Sequence, residues 1–521
     1  MATAIKFPAK WMWMLPILLL TTLLASQHLT TDVYWFDELA NLRKMGVHPY
    51  PPATPIDIIA NVGVTKWPPA YNFILLAWGN IAGWSELATR ALSLFMGVLS
   101  VAMMYRLGKS LAGFRAGIIS ASLLGTSVFF LFYAHEIRGY IQYALLSITL
   151  LYLYWHHSQK PRLTFTDGLV FVITGAVLIY THYVALFVAF SIGVYHLFLA
   201  SRTNQWGKRL RWLIYIGVTY LPWIVIAVFN AIGETVKDRG LDPITIIETA
   251  IYAFSNGLWF ILIPLVLYAL IAIRDRQIVF LVFTSSLFLT ASLITNVFTD
   301  YLFHIRHIIG LLPFLIVISA LALNRLIDQT KGLAWGLILL WVIAGTWFSR
   351  DLSFMDSLPG GLENRPLTMY TEVQRLSETC INEDDFLLTH LATEQNIWNV
   401  YVEQFYWWQP EYTVAMLEPL LNYAETRPDD FVIEGTYENR LISYTEDATK
   451  TWVVIAEDAY ASNRLQQVGE YLADTFDHCG IISAQNHVTT IVYQNTADFS
   501  CNTNAQTLPT CAPDLLADMM E

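Results

Sequence analysis

The feature that most constrains this chain is a series of long apolar segments. A helix needs about 20 mostly apolar residues to cross a membrane's hydrocarbon layer. Eleven stretches approach that requirement: 11–27, 87–107, 114–133, 138–156, 166–181, 183–200, 211–230, 249–273, 278–298, 305–323 and 333–349. Only 14% of the residues are charged, against about a quarter in an average soluble domain. The composition excludes a plain soluble enzyme and a disordered chain. The expectation is a polytopic α-helical membrane protein with about eleven transmembrane helices. The first segment is too long, and too poor in a small-residue cleavage site, for a signal peptide.

A twelfth stretch, 69–84, decides orientation, because counting it as a span inverts every later segment. Without it, 15 Lys and Arg fall on one side, in the turns around 6–10, 106–115, 160–162, 202–211, 274–276 and 325–331. The other side, up to residue 349, holds eight. Cytoplasmic turns carry the Lys/Arg excess, so 69–84 reads as an interfacial helix opened by Pro68-Pro69. The N-terminus is then cytoplasmic and everything after 349 lies outside, at a plasma membrane.

Charge divides the chain at the same place. Residues 1–349 carry 23 Lys+Arg and 14 Asp+Glu, a net of +9, while 350–521 carry 7 and 28, a net of −21. The expected domains are therefore a membrane module, 1–349, and an extracytoplasmic domain with an acidic surface, 350–521. The overall −12 argues against nucleic acid as a partner, which requires clustered cations. All four cysteines, Cys380, Cys479, Cys501 and Cys511, fall in the acidic part. That confinement suits disulfides in an oxidising compartment. Pairing Cys501 with Cys511 and Cys380 with Cys479 is one of three connectivities; unpaired thiols are the plainer alternative.

The acidic part reads as α/β. Runs at 385–391, 451–458 and 487–495 have strand character, and 461–476 is an amphipathic helix with Leu465, Val468 and Leu472 on one face. No phosphate loop or catalytic motif stands out there, and its acids read as a solvated surface.

Ionisable residues at membrane depth are costly and mark candidate sites. Asp37 and Glu38 follow Trp35-Phe36 in the first outer loop, with Leu39, Leu42 and Met45 at helical spacing. A carboxylate near that helix's N-terminus is favoured by the helix dipole, so simple capping explains Asp37 as well as function does. His135, Glu136 and Arg138 fall in YAHEIRGY at an outer membrane boundary, where a structural Glu–Arg tie between two helices is the bland alternative. His182 marks a tight outer turn in THY, and a lone His in apolar surroundings is commonly structural. His304, Arg306 and His307 fall in FHIRH; a guanidinium there can bind a phosphate bidentately or simply anchor at headgroups. Acids, Arg and His beside apolar walls suit a substrate that is half lipid and half polar. A proton-coupled transporter or flippase-like binder of lipid-linked sugars would share these groups, but its site belongs near the midplane between paired repeats, and no such repeat is visible. A non-catalytic scaffold is the third class.

The order of motifs resembles the C superfamily of polytopic membrane glycosyltransferases, and within it the protein O-mannosyltransferase-like (family 39-like) group. The matching pieces are FDE at 36–38, WPPAYNFILLAW at 67–78, SELATRALSLFMGVLSVAMMYRLGKSLAG at 85–113, FYAHEIRGYIQYALL at 132–146, THYVALF at 181–187 and RHIIGLLP at 306–313. They span roughly residues 10–350. The resemblance implies transfer of a sugar from a polyprenyl-phosphate donor to a hydroxyl acceptor (protein, lipid or envelope glycan) on the outer face, with inversion. It makes Asp37 the general base, with Glu38 beside it, and Glu136 a group that positions the acceptor or a divalent cation. Arg138 and Arg306 would meet the phosphate, and His135, His182 and His304 would line the site. Some relatives carry an acid just before the Pro of the 67–78 motif. Lys66-Trp67 stands there in this chain, which leaves the metal ligands unassigned.

Overall fold

The computed structural model describes residues 10–358, apart from 28, 31–33, 35, 48–51, 66–67, 226–240, 300–301, 303 and 351–352; beyond 358 it describes five strands. The chain divides into two compact units, one of residues 1–30 with 53–363, the other of 31–52 with 364–521. The first-loop segment that carries Asp37 thus groups with the C-terminal part rather than with the rest of 1–349.

The first unit is helical. Its elements are α1 (Met14–Ser26), then, past the α2 segment of the other unit, α3 (Pro55–Thr65), α4 (Ala70–Ala82), α5 (Glu86–Gly125), α6 (Val128–Tyr133), α7 (Tyr140–Gln159), α8 (Phe165–Ile179) and α9 (Leu186–Phe198). There follow α10 (Trp206–Thr219), α11 (Pro243–Phe254), α12 (Trp259–Ala272), α13 (Arg276–Thr299), α14 (Leu312–Ile327), α15 (Lys331–Phe348) and the short α16 (Ser353–Asp356). Among the described residues, four helices are long and apolar enough to cross a membrane: Glu86–Gly125, Arg276–Thr299, Ile305–Ile327 and Lys331–Phe348. The chain is a multi-pass membrane protein. Its outward faces carry large apolar side chains at helical spacing, such as Leu333, Leu339, Leu340, Ile343 and Trp347 on α15. Water would penalise a surface of that kind, and lipid does not.

The expected segments correspond to helices among the described residues, with three informative breaks; the end of the expected segment 211–230, from 226, lies outside those residues. Gly113 has φ +84° and ψ −174°, a positive-φ conformation open essentially to glycine alone. It separates Glu86–Leu111 from the helix that follows, at the boundary expected between two spans. The segment expected as one span over 249–273 is instead two helices bent by 98°. Asn256 and Gly257 both take positive φ at that bend. The Asn256 side chain there donates to Thr126 O at 3.0 Å and accepts from Val128 N–H at 2.9 Å. It thereby satisfies the backbone groups left open where α5 stops and α6 begins. The third break lies in 305–323, where a 3₁₀ turn at Ile305–Leu311 precedes α14 and Pro313 sits in the first turn of the α-helix.

Packing centres on α5, α7 and α14, which contact one another, with α1 and α4 against α5, α8 against α7, and α15 against α14. The segment Ile305–Ile327 is the most enclosed of the four long ones, with 89% of its apolar window buried against 28% for Lys331–Phe348. The stretch 69–84 forms α4, opening directly after Pro69 and resting on α5 through a Trp78 indole N–H to Ala88 O bond of 2.7 Å. Thr164 and Asp167 form a reciprocal capping box that starts α8.

In the second unit, α2 (Phe36–Lys44) lies in the first loop. Its C-terminal portion holds β1 (Phe386–His390), β2 (Thr413–Met416), β3 (Lys450–Ala456), β4 (His478–Gln485) and β5 (Val488–Gln494) in one sheet of order β2-β1-β3-β5-β4. β1 runs parallel to both β2 and β3, in register Leu388↔Ala415 and Leu388↔Val453. β3, β5 and β4 alternate antiparallel, with a register shift between Ile481 and Ser483. The three expected strands match β1, β3 and β5; β2 and β4 were not anticipated. The expected helix at 461–476 and Cys380, Cys501 and Cys511 lie outside the described residues.

Candidate active site

The site is assembled from three short turns. The first is 134–139, between α6 and α7. The second is 180–182, between α8 and the 3₁₀ turn Tyr183–Ala185 that leads into α9. The third is the 3₁₀ turn at Ile305–Leu311. An Ala70 N–H to Tyr180 O bond of 2.9 Å fixes the start of α4 to the end of α8. A Gln142 Nε2–H to Thr181 Oγ1 bond of 2.8 Å ties α7 to the same place.

His135, at 6% exposure, and Glu136, at 2%, are buried in the first turn. The turn is pinned by a Ser93 hydroxyl that donates to Glu136 O and by an Arg138 N–H to Glu136 O bond of 2.8 Å. The His135 ring stands edge-on to Phe132 at 5.4 Å. In the second turn His182 stacks almost flat on Tyr143, with 5.4 Å between centroids and 7° between planes. In the third turn the His307 ring lies 5.4 Å from that of His182 and 6.3 Å from that of His304. The Arg306 guanidinium lies 5.7 Å from the Tyr140 ring centroid, a cation–π geometry. Tyr143 packs so closely on Gly310 that a Cβ there would overlap its ring.

The structure therefore gathers Arg138, His182, His304, Arg306 and His307 around Tyr140 and Tyr143, with His135 and Glu136 in the turn that bears Arg138. Tyr140 and Tyr143 were not singled out from the sequence, although their three-residue spacing puts them on one face of α7. His304 sits with extended backbone immediately before the 3₁₀ turn that carries His307. Asp37 and Glu38 occupy the first turn of α2, as expected, and Glu38 is buried; both belong to the other unit.

His182 sits in a turn outside the spanning helices. Burial, and then the positive charges of Arg138 and Arg306, hold its imidazole well below the usual histidine range, at about 3. The ring is neutral at physiological pH. Its Nδ1 accepts from Val184 N–H at 3.3 Å, which assigns the proton to Nε2. Two guanidiniums and a neutral imidazole N–H donor form a set suited to phosphate oxygens. Among the described residues no three His, Cys, Asp or Glu side chains cluster as metal ligands, and Lys66 and Trp67 lie outside those residues.

Comparison with solved structures bears on this geometry. The apo structure of ArnT from Cupriavidus metallidurans superposes with a TM-score of 0.57 at 13% identity, covering 94% of this chain and 99% of ArnT. The chain has the fold of ArnT. The ArnT structure bound to undecaprenyl phosphate gives 0.56 at 12% identity over the same shares. The archaeal oligosaccharyltransferase AglB from Archaeoglobus fulgidus, in complex with an inhibitory peptide and a dolichol-phosphate, gives 0.47 at 14% identity, covering 98% of this chain and 77% of AglB. No protein-family model matches the sequence, and no curated protein matches it either.

Proposed function

We propose that the protein is a membrane glycosyltransferase that moves a sugar from a polyprenyl-phosphate-linked donor to a hydroxyl acceptor. The observation that carries this reading is the set of buried His182 and Arg306 with half-buried Arg138 in a chain with the fold of ArnT. ArnT itself is described bound to undecaprenyl phosphate, the same class of lipid phosphate.

In the reaction, the acceptor oxygen bonds to the anomeric carbon as the bond from that carbon to the donor's phosphate oxygen breaks. The acceptor's proton passes to Asp37, and the lipid phosphate leaves as an anion, with inversion at the sugar. A leaving group this stable needs no strong general acid; it needs fixed positive charge where negative charge develops. Arg138 and Arg306 supply that charge, and His182 adds a neutral donor. Glu38 flanks the base, Glu136 orients the acceptor or a divalent cation, and His135 and His304 line the substrate. The membrane topology proposed with this reading has eleven spans, a cytoplasmic N-terminus and an acidic extracytoplasmic α/β domain at 350–521.

The test uses membranes carrying the full chain and radiolabelled polyprenyl-phosphate sugars, with products read by mass spectrometry. Asp37→Asn and Arg306→Ala are each expected to lower transfer by about 100-fold or more, the scale set by losing a general base or a charge-stabilising donor, while the protein still inserts. Unchanged transfer in Asp37→Asn overturns the assignment of the base. Movement of the lipid-linked sugar without a new glycosidic bond overturns the enzyme reading in favour of a transporter.

A further inference from the structure

A cavity of about 390 Å³ opens at the other end of α7. Its lining includes Ser158 and Gln159 of that helix, Thr203 and Arg209, and Asp275 and Arg276 at the start of α13. α7 runs twenty residues from Tyr140 to Gln159, a length of about 30 Å, so this cavity is remote from the site described above.

Its distinguishing feature is Arg209, which is only 3% exposed. The guanidinium donates to two neutral oxygens, His157 O at 3.4 Å and Thr203 Oγ1 at 3.2 Å. Its Nε–H is buried without an acceptor. No carboxylate lies within ion-pair distance of it among the described residues. A buried cation without a counter-charge is costly. The cavity wall also carries Asp275 and Arg276, both exposed, so with Arg209 its charged side chains sum to one net positive charge. Asp275, Arg276 and Gln277 place the N-terminal end of the 24-residue α13 at the cavity wall, where the helix dipole favours negative charge.

We infer that this cavity binds a phosphate group, with Arg209 as its buried counter-charge. The group comes either from an anionic lipid headgroup or from a small soluble phosphate. Tying α7 to Thr203 and the start of α10 would explain the two hydrogen bonds of Arg209. It would not explain a buried charge without a carboxylate partner beside an open cavity.

The test is made on the purified full chain in two arms. Equilibrium dialysis with radiolabelled inorganic phosphate reads the soluble source. Native mass spectrometry after reconstitution in phosphatidylglycerol or phosphatidylcholine nanodiscs reads the lipid source. Saturable binding in either arm is expected, with phosphatidylglycerol retained over phosphatidylcholine if the lipid is the ligand. Arg209→Gln is expected to weaken it about tenfold or more, as loss of a charged hydrogen-bonding partner does. Ser158→Trp, which fills the cavity and leaves Arg209 in place, is expected to weaken it as well. If Arg209→Gln fails to fold, Ser158→Trp decides alone. Absence of binding in both arms overturns the inference. So does equal retention of the two lipids without phosphate binding, or binding unchanged in a folded Arg209→Gln protein.

Discussion

Asn256 shows how much one side chain settles. It is fully buried, takes a positive φ, and holds both a carbonyl and an N–H of the α5–α6 junction. Asn256→Ala strands a buried donor and acceptor that lipid cannot satisfy. The expected cost is about 2–6 kcal/mol at 1–3 kcal/mol per group, read as a lower midpoint of denaturation in detergent. Gly310 makes a different kind of contribution, through space. Gly310→Ala pushes Tyr143 off its seat and, through the stack, shifts His182. Transfer activity should fall about tenfold or more, as misplacement near 1 Å can cost more still, while the fold is retained; unchanged kinetics would separate the Tyr143–His182 stack from catalysis.

Capping is the decisive property at the scale of the element. Asp242 caps α11, accepting from Ile244 N–H at 2.9 Å and Thr245 N–H at 3.0 Å, and from the Thr245 hydroxyl. These bonds, the hydroxyl's first, hold its carboxyl below the usual range. The cap's contribution is therefore complete above the unfolded value of about 3.9 and is lost as pH falls through the lowered folded value. Hydrogen exchange over 243–254 should hold steady from pH 7 to about 4.5 and loosen below about pH 4. Asp242→Asn keeps a capping oxygen that does not titrate and should flatten that dependence. The elements themselves were largely legible. The apolar segments anticipated most helices, Pro68-Pro69 anticipated the start of α4, and β-rich runs anticipated β1, β3 and β5. The bend between α11 and α12 was not legible, because Ser255-Asn256-Gly257 interrupts an otherwise continuous apolar segment and its partner backbone is 128 residues away. β4 was missed because His478-Cys479-Gly480 breaks the usual strand alternation; its pairing with β5, which itself shifts register between Ile481 and Ser483, is a long-range property.

Across the whole molecule, two unlike parts share one chain. The proposed orientation predicts that a protease added to right-side-out vesicles cleaves within 350–521, and that inside-out vesicles protect it; the reverse pattern would overturn the Lys/Arg reading. Arg306→Lys preserves the charge and removes the planar fork. It should depress transfer by about tenfold or more without restoring it at higher lipid concentration if the fork acts on the departing phosphate. Sequence by itself determined what local pattern can carry: apolar length, which requires helices in a membrane; the split of charge near residue 350; and the positions of ionisable groups beside apolar segments. Only tertiary structure decided which of those groups meet. Arg138, His182 and Arg306 lie on turns more than 40 residues apart in sequence, and no local periodicity encodes their convergence on Tyr140 and Tyr143. The placement of 31–52 with the C-terminal unit and the uncompensated burial of Arg209 arise in the same way. Each depends on which distant helices exclude water from a given side chain, a property that exists only once the helices have packed.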